Sequence, residues 1–96
     1  MLTLEEIREK VIPIAKKYKV EKISLFGSYA RGEANKKSDL DFLVFGGKNF
    51  KPTLIFSLAE DLREIFNKEV DVFEISELKQ DSDFFKKIMQ EKVLVA

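Results

Sequence analysis

Two aspartates separated by one residue, Asp39 and Asp41, stand at the head of an apolar run and are the clearest candidates for chemistry in this chain. In a β-strand such residues share a face, with Cα atoms about 6–7 Å apart, because side chains alternate and the rise is ~3.3 Å per residue. Two carboxylates at that spacing repel each other unless a cation lies between them. A divalent ion would relieve the repulsion and bind phosphate oxygens. The pair therefore predicts a divalent-cation site for phosphate chemistry.

A third carboxylate, Asp71, lies between Val70 and Val72 in another apolar segment. If that segment is a strand, the two valines share one face and Asp71 points to the other. Should this strand lie beside the one that carries Asp39 and Asp41, three carboxylates would converge on one patch. Both features also have structural explanations without a metal, because a strand aspartate commonly faces water and Asp-x-Asp commonly lies at a solvated strand edge.

The pair Gly27-Ser28 follows a short apolar run and has the makings of a phosphate cradle. Small residues let backbone N–H groups approach an anion closely, and the start of a helix directs unpaired donors toward it. The Ser28 hydroxyl adds another donor. On its own, Gly-Ser after a strand is more often a simple turn, and Arg31 and Lys36 nearby are more often solvated charges than phosphate ligands.

Competing nucleotide-binding motifs fail at their decisive residues. The spacing from Gly27 to Gly32 matches a P-loop, but Glu33 occupies the position of the phosphate-binding lysine. The chain contains no G-x-G-x-x-G, so a dinucleotide-binding fold has no support.

Composition excludes several kinds of chemistry. The 96 residues include no Cys and no His, which removes disulfides, thiolate or imidazole metal sites and every catalytic triad built on these side chains. Any catalysis must therefore use carboxylates, hydroxyls, Lys and Arg, and we expect a hard cation such as Mg²⁺ to assist them.

The charge balance also bounds the partners. Seventeen Lys and Arg against seventeen Asp and Glu give a net charge of zero, so we expect no direct binding of nucleic acid through a basic surface. Weak long-range repulsion permits a homo-oligomer or a dedicated protein partner. No apolar stretch approaches the ~18 residues of a membrane span, and we expect a cytoplasmic protein with no membrane association.

The periodicity of apolar residues predicts the elements that must position these side chains. The predicted order is a helix from residue 4, strands at 22–26 and 39–45, a helix at 53–66, a strand at 70–75, a helix after Ser82 or Asp81, and a strand at 93–95. Thr3 and Glu6 form a capping box, whereas Pro13 should kink or break the first helix. Most Phe side chains fall in these patterns and are expected in the core. We predict one domain over residues 1–96 with an α/β (α+β) fold, in which helices pack against a small mixed sheet of about four strands.

The motif as a whole resembles a known family. Gly27-Ser28, ten residues and Asp39-x-Asp41 reproduce the G-S-x10-D-x-D signature of the polymerase-β-like nucleotidyltransferase superfamily. With Arg31, Gly32 and Ser38 included, the segment is similar to its minimal nucleotidyltransferase (MNT) branch, which includes MntA-type antitoxins. The resemblance extends over nearly the whole chain and implies a nucleotidyltransferase fold.

The resemblance implies a role for each matched residue. Asp39, Asp41 and Asp71 would be the catalytic carboxylates and would ligate two Mg²⁺ ions. Gly27 and Ser28 would hold the phosphates of a nucleoside triphosphate, which we expect to be ATP. Arg31 and Ser38 would complete this nucleotide-binding segment, Arg31 by supporting the phosphates or the loop.

Two functions are compatible with this resemblance. The first is a Mg²⁺-dependent transferase that moves AMP from ATP to a hydroxyl, with a Tyr of a HEPN-domain toxin as the expected acceptor, so that the protein acts as an antitoxin. The second is a binding module that neutralises a HEPN RNase by forming a complex. The complete set of three carboxylates favours the enzyme. Transfer to an antibiotic hydroxyl is less favoured, because the extra helical domain expected for it is missing.

Overall fold

Four strands and four α-helices make up the fold in the computed structural model, which describes residues 1–96. The helices are α1 (Leu4–Tyr18), α2 (Gly27–Arg31), α3 (Ile55–Phe66) and α4 (Asp83–Glu91). The strands are β1 (Lys22–Phe26), β2 (Leu40–Phe45), β3 (Val70–Glu74) and β4 (Val93–Leu94). Short 3-10 turns span Pro52–Leu54, directly before α3, and Ile75–Glu77, directly after β3.

The strands form one mixed sheet in the order β3-β2-β1-β4. β1 is antiparallel to both β2 and β4, whereas β2 and β3 are parallel and are connected through α3. A parallel pair needs such a crossover because its two strands run in the same direction. The mixed sheet with packed helices confirms the predicted fold class.

Helices cover both faces of the sheet. The larger core lies under α1 and α3, where β2 contributes its alternate residues Leu40, Phe42 and Val44. A smaller apolar cluster lies on the opposite face and joins Ile88 of α4 to Leu43 of the sheet. Since side chains alternate along a strand, the residues between the core positions of β2 face α4. Asp41 is one of these residues, so the α4 face carries the candidate site.

Helix α1 runs without interruption through Pro13, so the predicted break is wrong. A proline inside a helix removes one backbone hydrogen bond and crowds the preceding turn. Here Val11, Ile14 and Ala15 are buried on both sides of Pro13, and their packing against the core maintains the helix. The predicted capping box of Thr3 and Glu6 is confirmed by both of its hydrogen bonds.

Several element boundaries differ from the prediction by one or two residues. β2 begins at Leu40 rather than at residue 39, since sheet pairing starts where the Leu40 N–H donates to the Glu69 carbonyl. β3 ends at Glu74 because its carboxylate turns back to accept from the Ser76 N–H and so starts a 3-10 turn. Ser82, and not Asp81, caps α4.

The phenylalanines are not all in the core. Phe42, Phe50 and Phe66 are buried as predicted. Phe45, Phe56 and Phe84 are exposed, so the expectation fails for these three residues. Periodicity alone does not show which apolar face of an element is covered by another element.

No helix combines the length and the apolar composition required to cross a membrane.

The packing predicts opposite outcomes for two phenylalanine substitutions. Phe42 is fully buried between the sheet and Phe66, so Phe42→Ala should lower the free energy of unfolding by about 3–5 kcal/mol through lost burial and the remaining cavity. Phe56 is 79% exposed, and Phe56→Ala should change it by less than about 0.5 kcal/mol. Urea titration followed by circular dichroism measures both values. Similar losses for the two variants would contradict the described core.

Candidate active site

A cleft of about 490 Å³ opens between the Gly27 turn, the ends of β2 and β3, and helix α4. Its polar lining residues are Gly27, Ser28, Arg31, Asp39, Asp41, Asp71, Lys87 and Glu91. Its apolar lining consists of Phe26, Phe73, Phe84 and Ile88. The volume lies within the ~300–1,000 Å³ typical of small-molecule sites. Six of the seven residues that the sequence singled out for the site therefore border one cleft.

Sheet register places the key carboxylates side by side. Asp41 pairs with Phe26 on β1 and with Asp71 on β3, so these three residues form one row across three strands. Neighbouring strands are about 4.8 Å apart, and residues paired in this way point to the same face. Asp39 lies two residues before Asp41, just outside β2. The predicted adjacency of the Asp71 strand and the Asp41 strand is confirmed.

Gly27 is required where β1 turns into α2. Its φ of +74° lies in the left-handed region that favours glycine, and a Cβ at this position would collide with Oδ2 of Asp41. The backbone of the Gly-Ser turn is thus pressed directly against the Asp41 carboxylate. Ser28 follows as the second residue of α2 and lines the cleft.

The environment of Asp41 opposes its negative charge. Burial is the largest cause, followed by the charges of Asp71 and Asp39 and a hydrogen bond with Asp71, and together they raise the pKa of Asp41 from 3.8 to about 6. The positive charge of Arg31 acts in the opposite direction, but more weakly. Asp39 and Asp71 are exposed to solvent, whereas Asp41 is half-buried. The site is thus an arrangement of carboxylates with uncompensated repulsion at Asp41.

The donor set fits a hard divalent cation. The candidate ligands Asp39, Asp41 and Asp71 offer only carboxylate oxygens, which bind Mg²⁺ more favourably than they bind softer metals. The repulsion around Asp41 is the kind that such a cation relieves. No group of three or more acidic side chains in the chain is gathered tightly enough to hold an ion alone. A looser arrangement of carboxylates is typical of Mg²⁺ sites, in which one or two carboxylates commonly bind the ion together with substrate phosphates and water.

Arg31 lies at the cleft, but its guanidinium is already paired. Nε donates to Glu33 at 2.8 Å, and Nη1 donates to both oxygens of Glu91 at 3.2 and 3.3 Å. The hydrogen bonds that Arg31 donates to Glu33, and next in effect those to Glu91, raise the pKa of Arg31 above its ordinary value. Arg31 therefore connects α2 to α4 in this structure, which corresponds to the loop-supporting role that the sequence left open.

Ser38 does not line the cleft. Its hydroxyl accepts a hydrogen bond from the Asn35 N–H at 2.9 Å, and its own N–H donates to the Asn35 carbonyl. These bonds close a turn between α2 and β2. The structure therefore gives Ser38 a loop contact, apart from the other residues predicted for the nucleotide.

Sequence reasoning missed Glu91 and the aromatic side of the cleft. Glu91 is 60 residues from Arg31 in the chain, so no local motif connects the two. One signal was available, because an acid in the last turn of a helix is unfavourable next to the negative end of the helix dipole. Phe73 and Phe84 meet edge to face at 5.6 Å, and their strand and helix are far apart in sequence.

A family model described as polymerase beta, nucleotidyltransferase, matches residues 9–96. The chain belongs to this nucleotidyltransferase family. Proteins of this family are transferases that use nucleotides, which agrees with the carboxylates and the Gly-Ser turn found at the cleft.

Individual relatives and solved structures are also similar to this chain. It is 39% identical over 104 residues to protein adenylyltransferase MntA of Thermococcus cleftensis, an alignment that covers 99% of this chain and 98% of the relative. A solved structure provisionally described as a minimal nucleotidyltransferase superposes with a TM-score of 0.77 at 26% identity and covers 96% of this chain and 95% of that one. The fold also matches, at 18% identity and a TM-score of 0.73, a chain in the complex of a tri-AMPylated HEPN toxin of Shewanella oneidensis with an MNT antitoxin; this match covers 98% and 72% of the two chains.

The contact between Gly27 and Asp41 can be tested with a matched pair of glycines. Gly27 and Gly32 both have φ near +73°, but a Cβ on Gly32 would meet no atom within 4 Å. Gly32→Ala should lower the free energy of unfolding by about 1 kcal/mol, because alanine is strained in the left-handed backbone conformation. Gly27→Ala should lower it by at least ~1 kcal/mol more, because its Cβ also collides with Asp41. Chemical denaturation measures both. An equal loss, or an excess at Gly27 that persists in an Asp41→Ala background, would contradict the assigned contact.

The raised pKa of Asp41 predicts the pH dependence of stability without metal. Between the unfolded value of 3.8 and the folded value of about 6, the folded state binds more proton, so stability falls as pH rises through this window. At neutral pH, Asp41→Asn should therefore stabilise the protein by about 1 kcal/mol, less than the whole shift would give because the carboxyl is partly solvated. The gain should disappear below the unfolded value.

The control for this titration is Asp81→Asn, which removes the same charge at an exposed position that does not line the cleft. Melting temperatures across the pH range measure both variants in buffer containing EDTA. If Asp41→Asn destabilises the protein at neutral pH, then the ionised Asp41 carboxylate stabilises the folded state, and the prediction is wrong.

Proposed function

We propose that this protein transfers AMP from ATP to a protein hydroxyl with the help of Mg²⁺, and that it thereby acts as the antitoxin of a HEPN-domain toxin. The observation that carries the proposal is the single cleft that Asp39, Asp41 and Asp71 share with the Gly27-Ser28 turn. A protein that only binds a partner has no need to place three carboxylates next to a turn of this kind. The relationship to a protein adenylyltransferase supports the same activity.

The carboxylates would hold Mg²⁺, and the Gly-Ser turn would hold the triphosphate chiefly through Ser28, since the Gly27 N–H already donates to Glu91. Asp39, Asp41 and Asp71 would supply its oxygen ligands from the protein, and Mg²⁺ in such sites is commonly bound by substrate phosphates and water as well. When bound, Mg²⁺ would neutralise charge on the nucleotide phosphates. Ser28 borders the same cleft and has a hydroxyl that can donate to a phosphate oxygen.

The reaction is an in-line displacement at the α-phosphorus. The acceptor oxygen forms a bond to that phosphorus while the bond to pyrophosphate breaks, and the hydroxyl proton is released to solvent. Most of the catalytic effect comes from the position of the acceptor, within about 3–3.5 Å of the phosphorus. The opening of the cleft to solvent leaves room for an acceptor on a second protein.

The nucleobase has an apolar place to bind. Phe26, Phe73 and Phe84 form a cluster on one side of the cleft, with ring centroids 5.6–6.1 Å apart. Phe84 is partly exposed, so one ring remains available to a base. Stacking on an aromatic ring tolerates different bases, which is compatible with ATP and does not by itself exclude other triphosphates.

The acceptor is proposed to be a tyrosine on a HEPN-domain partner. A related fold is present in the complex of an AMPylated HEPN toxin with an MNT antitoxin, where the modified protein is the toxin. The cleft lies at the protein surface, so contacts that a second protein makes around it can select the acceptor. Docking of the partner would therefore supply the specificity.

Intact-mass spectrometry tests the proposal directly. Incubation with a HEPN-domain partner, ATP and Mg²⁺ should add ~329 Da per AMP to the partner, the mass of AMP less water in this transfer. EDTA, Asp39→Asn and Asp41→Asn should each abolish the addition. Asp81→Asn removes the same charge away from the cleft and should leave it unchanged. Peptide mapping then identifies the modified residue.

The result also separates the two candidate functions. Tight binding of the partner without a mass shift for any triphosphate, together with neutralisation by the Asp39→Asn variant, would overturn the transferase. The protein would then be a binding module that inhibits the toxin through the complex itself.

A further inference from the structure

Glu91, the last residue of α4, connects that helix to the Gly-Ser turn. Its Oε1 accepts a hydrogen bond from the Gly27 N–H at 3.0 Å. Both of its oxygens also accept from Nη1 of Arg31. Only 14% of its side chain is exposed, so this carboxylate is largely withdrawn from water at the edge of the cleft.

The position is an unfavourable one for an acid without these partners. The C-terminal end of a helix carries partial negative charge, and α4 has no basic residue in its last turn. Burial works to raise the pKa of Glu91, but the bonds from Gly27 and Arg31 outweigh it and leave the pKa below its ordinary value. The contacts at the turn therefore stabilise the charged form of Glu91.

Glu91 is not needed to attach α4 to the protein. Ile88 is fully buried on the same helix, and β4 directly after the helix pairs with β1. The helix is thus anchored by apolar and backbone contacts that do not involve Glu91. What Glu91 adds is a charged link to the one turn that presses against Asp41.

We infer that Glu91 is a positioning residue for nucleotide binding. It fixes the Gly27 backbone against Asp41 and holds the Arg31 guanidinium at the cleft, so that the turn and the carboxylates keep a fixed separation before the triphosphate arrives. This inference rests on the proposed function, since it concerns the same cleft. Preorganisation of this kind improves affinity because less ordering remains to be done upon binding.

The structure provides a matched control. Glu33 is the other partner of Arg31, and its side chain is 63% exposed and does not line the cleft. Glu33→Gln removes one charge beside Arg31 and leaves the Gly27 bond intact. Glu91→Gln keeps an oxygen that can accept from Gly27 but cannot neutralise Arg31. Glu91→Ala removes both contacts.

Calorimetric titration with AMP-PNP and Mg²⁺, in the absence of a partner that could accept AMP, measures the effect on affinity. Loss of one hydrogen bond to a charged group corresponds to about tenfold in an equilibrium constant, so Glu91→Ala should raise the Kd about tenfold or more. Glu91→Gln should give an intermediate Kd, and Glu33→Gln should stay within about twofold of the wild type. In the adenylylation assay, Glu91→Ala should raise the KM for ATP more than it lowers kcat.

Circular dichroism melts of each variant separate positioning from simple stability, with binding measured well below each melting temperature. If the wild type binds Mg·AMP-PNP and Glu91→Ala binds it equally well while melting earlier, Glu91 only stabilises the fold and the inference is wrong. If the wild type itself does not bind Mg·AMP-PNP, the proposed function fails as well, which is a different result. A Kd raised equally by Glu33→Gln and Glu91→Ala would assign the effect to charge around Arg31 and would also overturn the inference.

Discussion

The pairing of three strands at Asp41 is the constraint from which the rest of the site follows. Antiparallel pairing with β1 and parallel pairing with β3 place this carboxylate between Phe26 and Asp71 in one row. A slip of one residue in either pairing would turn the carboxylates toward the core under α1 and α3. The buried valines, leucines and Phe42 on that other face hold the register, so the packing of the core also fixes the chemistry.

The charges at the cleft explain why a cation belongs to the proposed function. Four acidic side chains and two basic ones line the cleft, and Arg31 is paired with glutamates. A triphosphate would add further negative charge next to Asp41, whose ionisation is already opposed by its surroundings. A divalent cation is the means by which such a site tolerates both carboxylates and phosphates. Nucleotide and metal are therefore expected to bind as one unit.

Much of this arrangement could be predicted from the sequence, because the informative signals were local. The Gly27-Ser28 and Asp39-x-Asp41 spacing lies within one short segment, and the alternation around Asp71 and the Thr3–Glu6 box depend on residues a few positions apart. The uninterrupted path of α1 through Pro13 could not be predicted in this way, since it depends on packing with distant elements. The link from Glu91 to Gly27 and Arg31 was hidden for the same reason, as was the exposure of Phe56 and Phe84.

The contacts of Glu91 with Gly27 and Arg31 also affect the order in which the cleft can form during synthesis of the chain. Gly27 and Arg31 are synthesised long before Glu91, and β1 is likewise synthesised long before its pairing partner β4. Contacts so distant in sequence form late, because a long stretch of chain must be ordered before they close. The carboxylate row can assemble once β3 has been synthesised, but the cleft gains its α4 wall only when the helix itself has followed. A nascent chain that ends before α4 would therefore carry the row of carboxylates without the α4 wall of the cleft, so that the proposed nucleotide site is completed only after this helix has been synthesised.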